Sequence, residues 1–291
     1  MTIRSGPVTV RVPATSANLG PGFDALGLAL DLYDELTVEA TESGLHIDVI
    51  GEGAGEVPLD DSHLVVRSMN LAFDLLGERP GGLWLTCRNV IPHGRGLGSS
   101  AAAIVSGIVA ARALARGEDR LDDAALFQLA TDIEGHPDNV APALFGGLTI
   151  SWVDGAAAAV QRLDVQVPVT VFVPPTPVST QEARGLLPDS VPHGDAVFNA
   201  GRAALLVAAL TQAPERLISA TEDRLHQGYR STAMPESYRL VRALRVDGVP
   251  AVISGAGPTV LAFARGIDAA LPDGWALHHL DVDARGATVH P

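Results

Sequence analysis

Lysine is absent from this chain: all 20 of the Lys and Arg positions in its 291 residues are arginine. That excludes two kinds of chemistry, because a Walker-type P-loop and a pyridoxal-phosphate Schiff base each need a lysine amine. Cysteine is nearly absent too. Cys87 stands alone, so no intramolecular disulfide can form, and its setting in "LWLTCRNVIP" suits a small buried hydrophobe. Positive charge is scarce relative to negative, with a formal net charge of −14, which argues against general affinity for nucleic acid or an anionic membrane. Long apolar runs are also missing. The most apolar window, residues 101–115, is broken by Ser106, Gly107 and Arg112 and is too short to span a bilayer. Residues 1–20 contain no continuous apolar stretch of the kind a secretory signal needs, so a cytoplasmic location is expected.

What is present is a chain 47% hydrophobic, long enough for one large domain or two of ordinary size. Period-two patterning predicts strands over 7–14, 34–40 and 45–51, and "GLWLTCRNVI" (82–91) reads as a buried strand. Helical spacing covers 63–77 and stops at Gly77. A further helix is predicted from Ser99 or Ser100 to Arg116 with Gly117 as its cap, and another from Asp122 to Glu134. The turn "GHPDN" (135–139) and an apolar stretch ending as a strand come next. Residues 154–164 carry the weakest pattern and read as a domain boundary or a surface hairpin. Beyond them lie a strand (167–174), a helix opened by Asp195 (195–211) and a helix with Pro235 in its first turn (235–245). A strand pair over 249–264 straddles a Gly-rich turn. Strands and helices intermix without regular alternation, which predicts an α+β fold.

Four segments carry chemistry. In "PHGRGLGSSAAA" (92–103) a strand, a Gly-rich turn and a helix start bring unpaired N–H groups and the positive helix end to one point. Such a nest suits phosphate, although a Ser-capped tight turn is the simpler reading of "GLGSS" taken alone. "PATSANLGPGFD" (13–24) is too punctuated for a helix yet carries Thr15, Ser16, Asn18 and Asp24. "EGHPDN" (134–139) offers Glu134 beside His136, Asp138 and Asn139. A carboxylate near a phosphate loop is what Mg2+ needs, since the ion takes few protein ligands together with phosphate oxygens. "SGAGPT" (254–259) is a second Gly-rich turn.

In their chain order (13–24, 92–103, 134–139, 254–259) and at these intervals the four segments resemble the GHMP kinase superfamily, and "PATSANLGPGFD" and "EGHPDN" are similar to its homoserine kinase branch. The resemblance covers essentially the whole chain. It implies a two-domain α+β kinase, with residues 1–160 forming a half similar to ribosomal S5 domain 2 and residues 161–291 a ferredoxin-like half. ATP would lie against Pro92, His93, Gly94, Arg95, Gly96, Leu97, Gly98, Ser99, Ser100, Ala101 and Ala102. Mg2+ would be held by Ser99 or Ser100 with Glu134. For L-homoserine, Asn18 and Asp24 match the family's ammonium partners, and Arg184 and Arg230 match its carboxylate-binding arginines. Arginine suits that task because its planar fork meets a carboxylate bidentately. Asn139 matches the residue at the substrate hydroxyl, with His136 and Thr180 nearby.

The resemblance further implies transfer to homoserine without a strong catalytic base, because the Lys–Asp pair used by some superfamily members cannot exist here. Asn139 and His136 are then the catalytic candidates. Phosphoryl transfer through a loose transition state tolerates this, being mostly alignment and charge stabilisation. His63 departs from the asparagine common in the family, which leaves the nucleotide-base contacts open. A kinase for another alcohol and a binding protein without turnover remain as alternatives. A homodimer is an open expectation, and no nucleic-acid or membrane partner is expected.

Overall fold

The computed structural model describes residues 3–117, 119–267 and 271–290. Strand β1 (Val8–Ala17) begins by alternation, with Val8, Val10 and Val12 buried and Thr9 and Arg11 facing outward. Its partner β2 (Leu26–Thr41) is longer than the predicted 34–40. Of the extra residues, "LGLAL" (26–30) are buried on both faces and so lack the alternation that marks the rest. Gly27 allows this, because a Cβ there would stand 2.1 Å from the carbonyl oxygen of Asp138. The register slips between Pro13 and Ala14, so the early part of β2 also pairs with β5 (Leu148–Asp154) and the late part with β4 (Gly82–Asn89). β3 (Gly44–Gly51) runs parallel to β4, and helix α1 (Leu64–Leu76) supplies the crossover that a parallel pair requires.

The buried helix α2 (Ser99–Leu114) packs on this sheet beside α3 (Asp123–Glu134) and α4 (Pro137–Phe145). Two boundaries differ from expectation. α2 ends at Leu114, with Ala115 as its cap and Arg116 in the left-handed region, φ 47°. Gly117, two residues beyond Ala115, still donates its N–H to the Arg112 carbonyl (2.9 Å), and a Cβ there would lie 2.4 Å from Leu76. The predicted turn 135–139 is the start of α4, with His136 as N-cap and Pro137 in its first turn. Proline is tolerated there because that N–H lacks a helical partner anyway. Asp122 caps α3 as predicted, its carboxylate accepting the Ala125 N–H at 2.8 Å.

Residues 154–164 form a surface hairpin, as one of the two readings had it: β6 (Ala157–Leu163) turns back on β5. Among the described residues a second, antiparallel sheet has the order β10 (Ala276–Leu280), β7 (Val169–Val173), β9 (Val260–Ala262), β8 (Ala251–Ile253). In its own chain order this is fourth, first, third, second. Between β7 and β8 lie α5 (Thr180–Gly185), α6 (His193–Thr211), α7 (Leu217–Ala220), α8 (Gln227–Arg230) and α9 (Pro235–Val246). Asp195 sits in the first turn of α6, whose N-cap is Pro192. Finally β11 (Thr288–His290) returns to pair with β1. One buried apolar cluster runs through both sheets, from Val8 to Leu280. No helix among the described residues is long and apolar enough to cross a membrane.

Candidate active site

Leaving β4, the chain is turned by the buried Asp34 carboxylate, which accepts the N–H groups of Val90 (2.6 Å) and Ile91 (2.9 Å). Burial pushes the Asp34 carboxyl above its usual range, and these two bonds oppose the shift. Gly94, Gly96 and Gly98 then take φ values of 66°, 75° and 72°. Two of them also have no room for a side chain: a Cβ on Gly96 would lie 2.2 Å from the Ser254 carbonyl oxygen, and one on Gly98 would lie 1.9 Å from Thr15 Oγ1. Gly98, not a serine, is the N-cap of α2. Among the described residues no side chain caps this helix and no acidic residue stands in its first turn. Its positive end is therefore open to an anion.

The second Gly-rich turn staples this loop to segment 13–24. Ser254 Oγ donates to Gly96 O (2.6 Å) and Thr259 N to Arg95 O (3.2 Å), while Gly255 N donates to Ala17 O (3.0 Å). Asn18 closes the set with Nδ2 on Gly255 O (2.9 Å), and its Oδ1 accepts the Asp24 N–H (2.9 Å). Both ends of Asn18 are thus engaged by backbone. Arg95, expected to lie against ATP, bonds the carbonyls of His93, Pro174 and Pro175 and ties the loop to the end of β7.

Two cavities meet at the start of α2. One, of about 330 Å3, is mainly apolar, with Leu36, Val65 and Cys87 in its wall beside His63, Asn89 and His93. Burial pushes the Cys87 thiol up to about 12, in keeping with an inert buried residue. Burial, followed by the neighbouring His93, lowers the pKa of His63, whose Nδ1 has no hydrogen-bond partner among the described residues. The other cavity, of about 320 Å3, is polar and contains Asp24, Glu134, His136, Asn139, Arg184 and Arg230, with Thr180 at its edge. Ser99 and Ser100 line both.

Within the polar cavity Ser100 Oγ donates to Glu134 Oε2 at 2.7 Å, and burial raises the Glu134 carboxyl. His136 Nδ1 lies 2.5 Å from Asp138 Oδ1, and this hydrogen bond raises the imidazole pKa. Thr15 Oγ1 donates to Asn139 Oδ1 (2.8 Å), while the Asn139 amide nitrogen has no partner among the described residues. Arg184 forms a bidentate pair with Asp24, at 2.9 and 3.1 Å. Arg230 is 2% exposed, and burial and then the Arg184 charge lower its pKa. Of the residues assigned to the nucleotide loop, Leu97, Ala101 and Ala102 are buried in the core beneath it, and Pro92 lines neither cavity. Thr15, Phe23, Asp138, His226 and Ser254 also build the site, with no role for them expected from the sequence. The partners of Thr15, Phe23 and Ser254 lie far along the chain and leave no local pattern, whereas Asp138 pairs with His136 two residues before it and His226 stands four residues before Arg230.

Comparisons with known proteins agree with this architecture. Residues 63–147 match the model of the GHMP kinases N terminal domain. Homoserine kinase from Streptomyces coelicolor is 63% identical over 297 residues, covering 99% of this chain and 96% of that protein. Its counterpart from Clavibacter michiganensis subsp. michiganensis is 54% identical, covering 97% and 93%. The crystal structure of homoserine kinase from Cytophaga hutchinsonii superposes with a TM-score of 0.85 over the whole of both chains at 27% identity. The structure of L. major mevalonate kinase in complex with R-mevalonate shares the fold, with a TM-score of 0.70 at 15% identity over 97% of each chain.

Proposed function

Since the chain belongs to the homoserine kinase family of the GHMP kinases and uses ATP to phosphorylate homoserine, we propose which of its groups perform each part of that reaction. The apolar cavity takes the adenosine, the open start of α2 takes the phosphates and the polar cavity takes the amino acid. The observation that carries this reading is that Ser99 and Ser100 line both cavities, so a phosphate chain at the α2 start reaches from one to the other. Residues 1–160 then supply the nucleotide cavity and the phosphate loop, and residues 161–291 supply the two arginines. The product, O-phospho-L-homoserine, feeds threonine biosynthesis, and we assign the reaction to the cytoplasm.

L-Homoserine carries an ammonium, a carboxylate and a δ-hydroxyl. In this reading Asp24 receives the ammonium, and Arg184 and Arg230 receive the carboxylate. Asn18 acts on the ammonium by shaping the loop that presents Asp24. Asn139 meets the hydroxyl: with Oδ1 turned to Thr15, the free amide nitrogen donates to the substrate oxygen and has no lone pair with which to take its proton. His136 and Thr180 line the same space.

The hydroxyl oxygen forms its bond to the γ-phosphorus while the bond to the β-phosphate oxygen breaks, and the hydroxyl proton passes to a γ-phosphate oxygen. The N–H groups of the loop and the α2 start stabilise the developing charge. Glu134 and Ser100 suit Mg2+, since a carboxylate and a hydroxyl are hard oxygen donors and, among the described residues, the Glu134 carboxylate accepts a hydrogen bond from the serine hydroxyl alone. Such an ion supplies charge neutralisation for the phosphates. The reading is tested by coupled ADP release with L-homoserine and a panel of other alcohols. It predicts a clear preference for L-homoserine that Arg184→Ala and Arg230→Ala both abolish.

A further inference from the structure

We propose that His226 is a positioning residue that aims the Arg230 guanidinium at the substrate carboxylate; the inference rests on the assignment of Arg230 to homoserine. His226 is wholly buried, at 0% exposure. Its Nε2 lies 2.7 Å from the carbonyl oxygen of Gly20, which can only accept, so the ring proton resides on Nε2. Nδ1 is therefore the acceptor, and it takes an N–H of Arg230 Nη1 at 3.3 Å.

The rest of the fork is fixed from the opposite side. Arg230 Nε donates to the carbonyl oxygen of Ala183 (3.2 Å), the residue before Arg184. Nη2 has no hydrogen-bond partner among the described residues, and Arg230 lines the polar cavity. The His226 ring also stacks on Phe23 at 5.1 Å, and the Arg230 guanidinium lies 5.3 Å from the same ring. Imidazole, phenyl and fork thus form one packed block beside Asp24. A four-residue helix such as α8 has too few internal bonds to hold so long a side chain alone.

Burial favours the neutral imidazole, and Arg230 acts in the same direction, while Asp223 (3.8 Å away) and Asp24 oppose it. Asp223 is already committed to the backbone N–H groups of Leu225, His226 and Gln227.

The two conservative substitutions separate the two bonds. His226→Asn keeps an acceptor where Nδ1 stood and gives up the Gly20 bond. His226→Gln keeps a donor that reaches Gly20 and gives up the acceptor. We expect His226→Gln to raise KM for homoserine about 10-fold, with kcat and the KM for ATP within about twofold, and His226→Asn to stay within about threefold throughout. Equal effects, or the reverse order, would mean that His226 only supports the loop, and would overturn the proposal. Arg230→Ala is the reference. If it leaves KM for homoserine unchanged, the assignment of Arg230 fails and the role of His226 with it. If it raises KM while His226→Gln does not, the His226 inference alone fails. Imidazole 15N spectra of the unmodified enzyme give a check that does not depend on the folding of a variant. The His226 Nδ1 resonance should move on adding homoserine and not on adding ATP, and no movement at saturating homoserine contradicts the proposal.

Discussion

Asp24 and Arg184, separated by 160 residues in the chain, hold each other in a two-point ion pair within the polar cavity. A zwitterionic amino acid can exchange with this pair without stranding either charge, since its ammonium replaces the guanidinium and its carboxylate replaces the aspartate. Arg184 is 38% exposed at the side chain, so solvent screens its contribution, whereas Arg230 is 2% exposed. Arg230→Ala should therefore cost more of kcat/KM for homoserine than Arg184→Ala. The expected range is about 2–4 kcal/mol, or roughly 30- to 1000-fold, with Arg184 at the low end. Steady-state kinetics at saturating ATP measures both; the opposite ranking would show that the exposed arginine is the dominant contact.

Glu134 and Ser100 are joined at the start of α2. Glu134→Gln should lower kcat by about two orders of magnitude and raise the Mg2+ concentration needed for half-maximal rate, because a bound ion supplies several kcal/mol of charge stabilisation. Ser100→Ala should act in the same direction and less strongly. Titrating Mg2+ at fixed ATP is the measurement, and an unchanged half-saturation in Glu134→Gln would remove Glu134 from the metal site.

Gly98 and Gly77 form a matched pair of left-handed glycines, at φ 72° and 70°. An added Cβ meets Thr15 Oγ1 at 1.9 Å in the first and nothing within 4 Å in the second. Gly77→Ala should cost only backbone strain, about 1–2 kcal/mol in thermal unfolding, with unchanged kinetics. Gly98→Ala should cost at least as much stability, and should also lower kcat by about 10-fold or more by driving Thr15 off Asn139.

The buried imidazole of His226 has its pKa below the ordinary value of 6.5. As pH falls through 6.5 the unfolded chain binds a proton there that the native chain refuses, so this residue draws stability down on the acid side. Between pH 7 and pH 5 the native enzyme should lose more stability than His226→Asn, by up to about 1.4 kcal/mol per pH unit. Denaturant melts of both proteins across that range provide the comparison, and parallel curves would count against a neutral His226.

The elements that the sequence made legible are those with one buried face. β3, α1 and α9 each carry a clean period and match their observed bounds closely, whereas β1 runs on to Ala17, past the expected end at 14, where its residues are buried without alternation. The first part of β2 was hidden by burial on both faces, and α4 by Pro137, Pro142 and Gly146, which resemble breakers but sit where the helix tolerates or ends on them. α5 and α8, with 6 and 4 residues, are too short to show a helical period, yet they carry Arg184 and Arg230. Those arginines were legible only through resemblance to a family. The phosphate loop was readable from its own glycines and serines, whereas the carbonyls that hold Arg95 come from Pro174 and Pro175 at a distance that no local pattern records.

Recognition of both charges of the substrate is the center of the account, and two truncated alcohols test it most directly. ADP release should be compared for L-homoserine, for 4-hydroxybutyrate, which lacks the ammonium, and for 3-aminopropan-1-ol, which lacks the carboxylate. Opening the Asp24–Arg184 pair for half a zwitterion leaves one charge stranded, so each analogue should fall about 100-fold or more below L-homoserine in kcat/KM. Turnover of either analogue at a rate close to that of L-homoserine would contradict the account.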